Sequence, residues 1–273
     1  MSEGKITFSF GKNWDDFVHF SLNEERIKEA EKSLTGFLGL QKLDGLTFLD
    51  IGCGSGLFSL SAYRLGASEI ISFDYDPFSV KCCEYLKEKD GDPSNWTVYE
   101  GSILDNVFLK KVKKADIVYS WGVLHHTGRM WQAIENTIGV VRPGGLLFIA
   151  IYNKVEGPFG SQSWLKLKRV YNRAPLLFKA FMEYGFLVLV ITKMLLTLRN
   201  PFREVREYMK NRGMSFRTDI RDSLGGYPYE CASAEEIVRF CSDRGLELIN
   251  LKSVDTLALN EFLFRIPFRM EAS

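Results

Sequence analysis

Phe48-Leu49-Asp50-Ile51-Gly52-Cys53-Gly54-Ser55-Gly56 decides the fold of this chain. An apolar strand ends in an acid, and three glycines follow at alternate positions. A second apolar run, Glu69-Ile70-Ile71-Ser72-Phe73, ends in Asp74, 22 residues after Gly52. Glycine is required where φ turns positive or where a ligand presses on the backbone. The helix expected over about 57–65 points its amides and positive dipole end at the same place. A dinucleotide loop needs a third glycine at position 57, but Leu57 stands there. The loop therefore reads as a cradle for a nucleoside-bearing ligand, laid across the ends of two parallel strands.

Asp50 sets the charge of that ligand. A carboxylate beside the loop repels a pyrophosphate and attracts an ammonium or a sulfonium. S-adenosylmethionine carries both cations and no phosphate. Asp74 suits the two ribose hydroxyls, because one carboxylate accepts both hydrogen bonds.

Outward from the loop, strands and helices alternate. Strands are expected near 46–51, 69–74, 96–100, 115–120 and 145–152. Helices are expected near 24–38, 57–65, 77–89, 105–113 and 129–141. That rhythm predicts a parallel sheet covered on both faces. Asp76 reads as the N-cap of a helix with Pro77 at its first position. After Asn153 the rhythm breaks for about 75 residues. It resumes with a helix near 233–244, capped by Ser233 ahead of Glu236, and strands near 246–254 and 260–266. The expected organisation is an N-terminal flap and helix (1–40), a cofactor-binding core (41–152), a mostly helical basic insertion or lid (153–229) and the end of the core sheet (230–273).

The chain resembles the class I S-adenosylmethionine-dependent methyltransferases, in the branch that holds quinone-biosynthesis and small-metabolite enzymes. Asp50 to Gly56 matches their first motif. The likeness continues through Phe73-Asp74-Tyr75-Asp76-Pro77, Tyr99-Glu100-Gly101-Ser102-Ile103-Leu104-Asp105, Asp116 to His126 and Val141 to Ile149. It covers roughly 40–152. The resemblance implies a Rossmann-like, doubly wound α/β fold with a seven-stranded, mostly parallel sheet whose last strand is antiparallel. A helical insertion precedes the final helix and two strands. It also implies a cofactor set of Asp50, Gly52, Cys53, Gly54, Gly56, Asp74, Tyr75, Ser102, Ile103, Ser120 and Trp121. Adenine would meet Ser102 and Ile103, with Ser102 standing where many relatives have Asp.

Methyl transfer from a sulfonium is an in-line displacement, often with proton removal from the acceptor. Two of the three histidines, His125 and His126, follow the fourth strand, at the end of the sheet where ligands bind. Either is a candidate general base, with His126 preferred. Trp14 in an aromatic N-terminal flap with Phe10 and Lys12, and Tyr227, Tyr229 and Glu230 in a glycine-bearing loop, are candidate substrate residues. No carboxylate cluster has metal-ligand spacing, so no metal is expected.

Hydrophobic residues make up 46% of the 273, enough for a large core. The five cysteines (53, 82, 83, 231 and 241) fit neither a zinc site nor a disulfide framework. No signal peptide is read at the N-terminus, so the expected location is cytoplasmic, or peripheral at a membrane. The net charge is +1, unevenly spread. Between Trp164 and Arg217, twelve Lys or Arg face three Glu, a net of +9, and the remainder carries −8. Residues 180–198 are mostly apolar, interrupted by Glu183 and Lys193. The longest uninterrupted run, Tyr184 to Thr192, has nine residues, short of the ~20 of a span. Through 176–198 the insertion reads as a lid, a homodimer contact, or a contact with a membrane surface or lipid-like substrate.

The leading expectation is O-methylation of a small-molecule acceptor with S-adenosylmethionine as donor. An RNA or protein methyltransferase that uses the basic insertion to hold an anionic partner is the alternative, although nucleic acid is not the expected partner. A non-catalytic cofactor-binding protein is the third reading.

Overall fold

The computed structural model describes residues 22–197, 200 and 216–268. The flap residues Phe10, Lys12 and Trp14 lie outside them. Seven strands form one sheet in the order β3-β2-β1-β4-β5-β7-β6. They are β1 (Thr47–Ile51), β2 (Glu69–Asp74), β3 (Trp96–Glu100), β4 (Ala115–Trp121), β5 (Val141–Tyr152), β6 (Glu247–Lys252) and β7 (Leu259–Arg265). β1 to β5 pair in parallel, and β7 runs antiparallel to both β5 and β6.

Successive strand residues point to opposite faces, and both faces are packed. Phe48, Ile70, Ile117 and Phe148 join one cluster with residues of α1 (Glu24–Leu38), α2 (Leu57–Arg64) and α3 (Pro77–Lys89). Leu49, Ile71, Val118 and Ile149 join the other, with α5 (Met130–Gly139) and α9 (Ala234–Ser242). This is why all five residues of β1 are buried.

The caps match the sequence pattern. Asp76 accepts from the Phe78 amide at 3.0 Å ahead of Pro77. Ser233 and Glu236 bond reciprocally in a capping box that opens α9. Two elements differ from expectation. α4 (Asn106–Leu109) makes one turn where a helix over 105–113 was expected. Beyond it Lys110, Lys111, Lys113 and Lys114 crowd like charges around the single apolar Val112, giving no face to bury. β5 begins at Val141 rather than at 145, and its register against β4 shifts between Ala115 and Ile117.

The insertion adds α6 (Ser161–Arg173), α7 (Leu176–Leu196) and α8 (Phe216–Gly225). Tyr171, Ile220 and Leu224 form a small core of their own, packed by Trp164, Leu167, Met182, Phe186 and Leu187. No helix among the described residues is long and apolar enough to cross a membrane.

Candidate active site

The carboxyl ends of β1, β2 and β4 open onto a cavity of about 320 Å³. Gly52 and Gly54 form one wall. Gly52 has φ +74°, and a Cβ there would stand 2.5 Å from the Val123 methyls, so only glycine lets the loop pass the turn after β4. Gly56 opens α2 beside Cys83 and does not line the cavity. The buried Cys53 also lies off the wall.

Asp74 lines the cavity at the end of β2. Its Oδ2 accepts from the Gly54 amide at 3.0 Å and its Oδ1 from the Asp76 amide at 2.8 Å. The carboxylate thus ties the glycine loop to the next turn, with acceptor capacity left on both oxygens. Burial raises its pKa to about 6, against the pull of those amides.

Asp50 is buried and its carboxylate is not on the cavity wall. Its Oδ2 accepts from Ser59 Oγ at 2.6 Å. Ser72 Oγ donates to Ser59 Oγ at 2.8 Å, and Trp96 Nε1 donates to Ser72 Oγ at 2.9 Å. Asp50 and Ser72 sit opposite each other across β1 and β2, which places both under α2. All three donors in this relay point toward the acid. Burial still lifts the Asp50 pKa to about 7, with the Ser59 bond opposing and Asp74 adding to the rise. Asp50 is therefore held against α2, off the cavity wall but close enough for its charge to be felt there. Single-sequence reading missed the relay because serines and a tryptophan carry no charge signal.

The rest of the wall comes from the ends of β2 and β3 and from the turn after β4. Tyr75, Ser102, Ile103 and Trp121 line the cavity as expected. Ser120 does not: its hydroxyl is buried and donates to the Ile51 carbonyl at 3.0 Å, bracing β4 against β1. The turn Leu124–His126 divides the histidine pair. His126 lines the cavity, and its Nδ1 lies 2.6 Å from the Pro228 carbonyl oxygen. A carbonyl only accepts, so Nδ1 carries the proton and the neutral ring holds its lone pair on Nε2. Burial, partly opposed by that bond, lowers its pKa to about 4. His125 lies behind, fully buried against Tyr152 at 4.2 Å between ring centres, with both ring nitrogens unbonded. Burial pushes its pKa well down.

Tyr227 and Pro228 close the cavity opposite the loop. Tyr229 turns away to pack on Tyr152, and its hydroxyl lies beside Ser161 without completing a hydrogen bond of normal geometry. Glu230 also points away from the cavity; its Oε2 accepts from the Met130 amide at 3.0 Å and caps α5. Ser79, Val123, Thr127 and Pro228 line the cavity although sequence reading singled out none of them. Ser79 sits one turn beyond Asp76, so the cap and the following helical turn were the signal for it. Among the described residues, no cluster of three or more His, Cys, Asp or Glu could hold a metal.

A family model described as a methyltransferase domain matches residues 42–184, just over half the chain. The chain belongs to the class I S-adenosylmethionine-dependent methyltransferases. As a methyltransferase it is 32% identical over 122 residues to a ubiquinone biosynthesis O-methyltransferase of Methylobacterium sp. (strain 4-46), covering 45% of this chain and 47% of that protein. It is 30% identical over 151 residues to the mitochondrial ubiquinone biosynthesis O-methyltransferase of Rattus norvegicus, covering 52% and 44%. The chain thus spans about half the length of these relatives. Among solved structures, the magnesium protoporphyrin IX methyltransferase of Synechocystis PCC 6803, crystallised with S-adenosylhomocysteine, superposes with a TM-score of 0.54 at 14% identity. That match covers 93% of each chain and shares the fold.

The methyltransferase cavity fits S-adenosylmethionine on its own geometry. A glycine wall admits close backbone approach, and a carboxylate with spare lone pairs stands at the ribose position. Two buried acids, each pushed up in pKa by burial, favour a cation beside them.

Proposed function

We propose that this methyltransferase transfers the methyl of S-adenosylmethionine to a hydroxyl oxygen of a small aromatic acceptor, of the hydroxylated kind that quinone biosynthesis uses. One observation carries the reading. His126 stands on the wall of the same cavity that Gly52, Gly54 and Asp74 line. The relatives named for O-methylation support oxygen as the accepting atom.

When bound, S-adenosylmethionine supplies a methyl group made electrophilic by the sulfonium. The protein's part is position and proton. Asp74 and the close-passing backbone of the glycine loop orient the donor. Trp121, Tyr227 and Pro228 wall the acceptor against water. His126, neutral at pH 7, takes the acceptor's hydroxyl proton on Nε2 and becomes an imidazolium held by the Pro228 carbonyl. The oxygen lone pair so freed would form the bond to the methyl carbon as the methyl–sulfur bond breaks, its electron pair passing to sulfur and S-adenosylhomocysteine leaving. A cavity of about 320 Å³ suits a small acceptor better than a folded macromolecule.

The test is transfer of isotope-labelled methyl to a panel of hydroxylated aromatics, run beside RNA and protein pools. Label is expected in an aryl methyl ether. Label confined to the macromolecular pools would overturn the small-molecule reading.

A further inference from the structure

We propose that Lys168, on α6, is a positioning residue for the reaction: it pins the segment that closes the cavity, and so fixes which nitrogen of His126 faces the acceptor. Lys168 is 1% exposed. An ammonium is seldom buried so fully, and the burial costs energy unless partners replace water. Its Nζ donates to the Ser223 carbonyl oxygen at 2.5 Å. It also stands 5.2 Å from the ring centre of Tyr229 and 5.8 Å from that of Trp164, within cation–π range. Ser223 lies in the last turn of α8, where carbonyls lack partners inside the helix. Asn172, four residues on and on the same face of α6, donates from Nδ2 to the Gly225 carbonyl oxygen at 2.8 Å. α6 thus caps the end of α8, and it does so with a cation that the negative end of the helix dipole favours.

From that capped end the chain runs through Gly226 to Tyr227 and Pro228 on the cavity wall, and then to Tyr229 under the Lys168 ammonium. Lys168 therefore grips the segment on both sides of its two cavity residues. Tyr229 packs on Tyr152 at 5.3 Å between ring centres, and Tyr152 meets His126 edge-on at 5.6 Å. The consequence lies at His126. The Pro228 carbonyl, 2.6 Å from Nδ1, selects that nitrogen for the proton and leaves the Nε2 lone pair to the acceptor. A displacement of Pro228 by about 1 Å stretches this bond out of range and lets the proton settle on the nitrogen that has to accept one. A misplacement of that size is enough to cost about a hundredfold in rate. The inference rests on His126 as the base only for its effect on rate; the state of the ring is read with no acceptor present.

The experiment is magnetic resonance of the histidine ring nitrogens in the full chain at neutral pH with S-adenosylhomocysteine bound, beside the rate of methyl transfer. The His126 ring is expected to carry its proton on Nδ1. Lys168→Met keeps the bulk and removes the donated bond and the charge. It should move the proton toward Nε2 and lower kcat at least about tenfold, with unchanged affinity for S-adenosylhomocysteine. Should that variant lose S-adenosylhomocysteine binding, Asn172→Leu carries the test, with the same movement of the proton expected. A natural ring protonated on Nε2, or a proton that neither variant moves, would overturn the inference. Loss of S-adenosylhomocysteine binding in both variants would also overturn it, because the pair would then hold the fold and not the segment. A moved proton at an unchanged kcat would uphold the positioning and strike His126 as the base.

Discussion

His126 is half-buried, neutral and bonded through Nδ1 to a carbonyl, so the proton it can gain goes to Nε2. His126→Ala should lower kcat by about a hundredfold or more and leave S-adenosylhomocysteine affinity unchanged; a full rate in that variant removes the base. His125 plays a different part, since both its nitrogens are unbonded and its ring packs on Tyr152. His125→Phe keeps that packing and removes a buried polar group that nothing satisfies, so activity should persist and Tm should hold or rise. Failure of His125→Phe to turn over would move the chemistry to the other ring. The sequence placed both histidines after β4 but could not separate them, because a turn decides which faces the cavity. Asp74 was legible for the opposite reason: a strand end and a glycine loop leave its carboxylate one place to go. Asp50 was only half legible. Its place at the end of β1 was readable, while the serine and tryptophan donors that hold it off the cavity wall depend on strand register.

Capping and periodicity made most elements readable, because both are local. Asp76 with Pro77, and Ser233 with Glu236, satisfy amides that lie within a few residues. α7 shows where such reading stops. Its apolar sequence announces a helix, yet which side faces inward depends on Tyr171 and Arg221, which lie on other helices. Glu183→Ala removes both bonds beside the small core of the insertion. A cost of about 1–3 kcal/mol to the insertion is expected, with little effect on the sheet. Hydrogen exchange should therefore quicken across α6, α7 and α8 while β1, β4 and β5 stay protected. Equal loss of protection in the sheet would show that insertion and core unfold as one unit.

Across the whole molecule, the site stores two opposed sets of titrations. His125 and His126 have pKa values lowered by burial, so their neutral forms favour the fold above their unfolded pKa, and that contribution is lost as pH falls through about 6.5 toward 4. Asp50 and Asp74 have pKa values raised to about 7 and about 6. Their contribution is complete below the unfolded value near 3.8 and is lost as pH rises through 6 to 7. Between pH 4 and 6.5 the unfolded chain holds two more histidine protons, and the folded chain holds about two more carboxyl protons. The two sets act in opposite directions there, so the carboxyl pair offsets the histidine pair in the pH dependence of the free protein. A cationic donor with a ribose diol favours both carboxylates ionised, which removes the carboxyl half of the balance. The complex should then lose stability steeply on acidification, by up to roughly 1.4 kcal/mol per pH unit for each uncompensated group. Donor affinity must rise with pH between 5 and 7, with protons released on binding. Calorimetry in buffers of different ionisation enthalpy measures that release, and Asp74→Asn should reduce it by up to one proton. Thermal melts with and without S-adenosylmethionine across the same range complete the test. Parallel pH profiles for the free and bound protein would mean that the two acids do not change protonation on binding, and would break the link between the buried charges and the donor's cation.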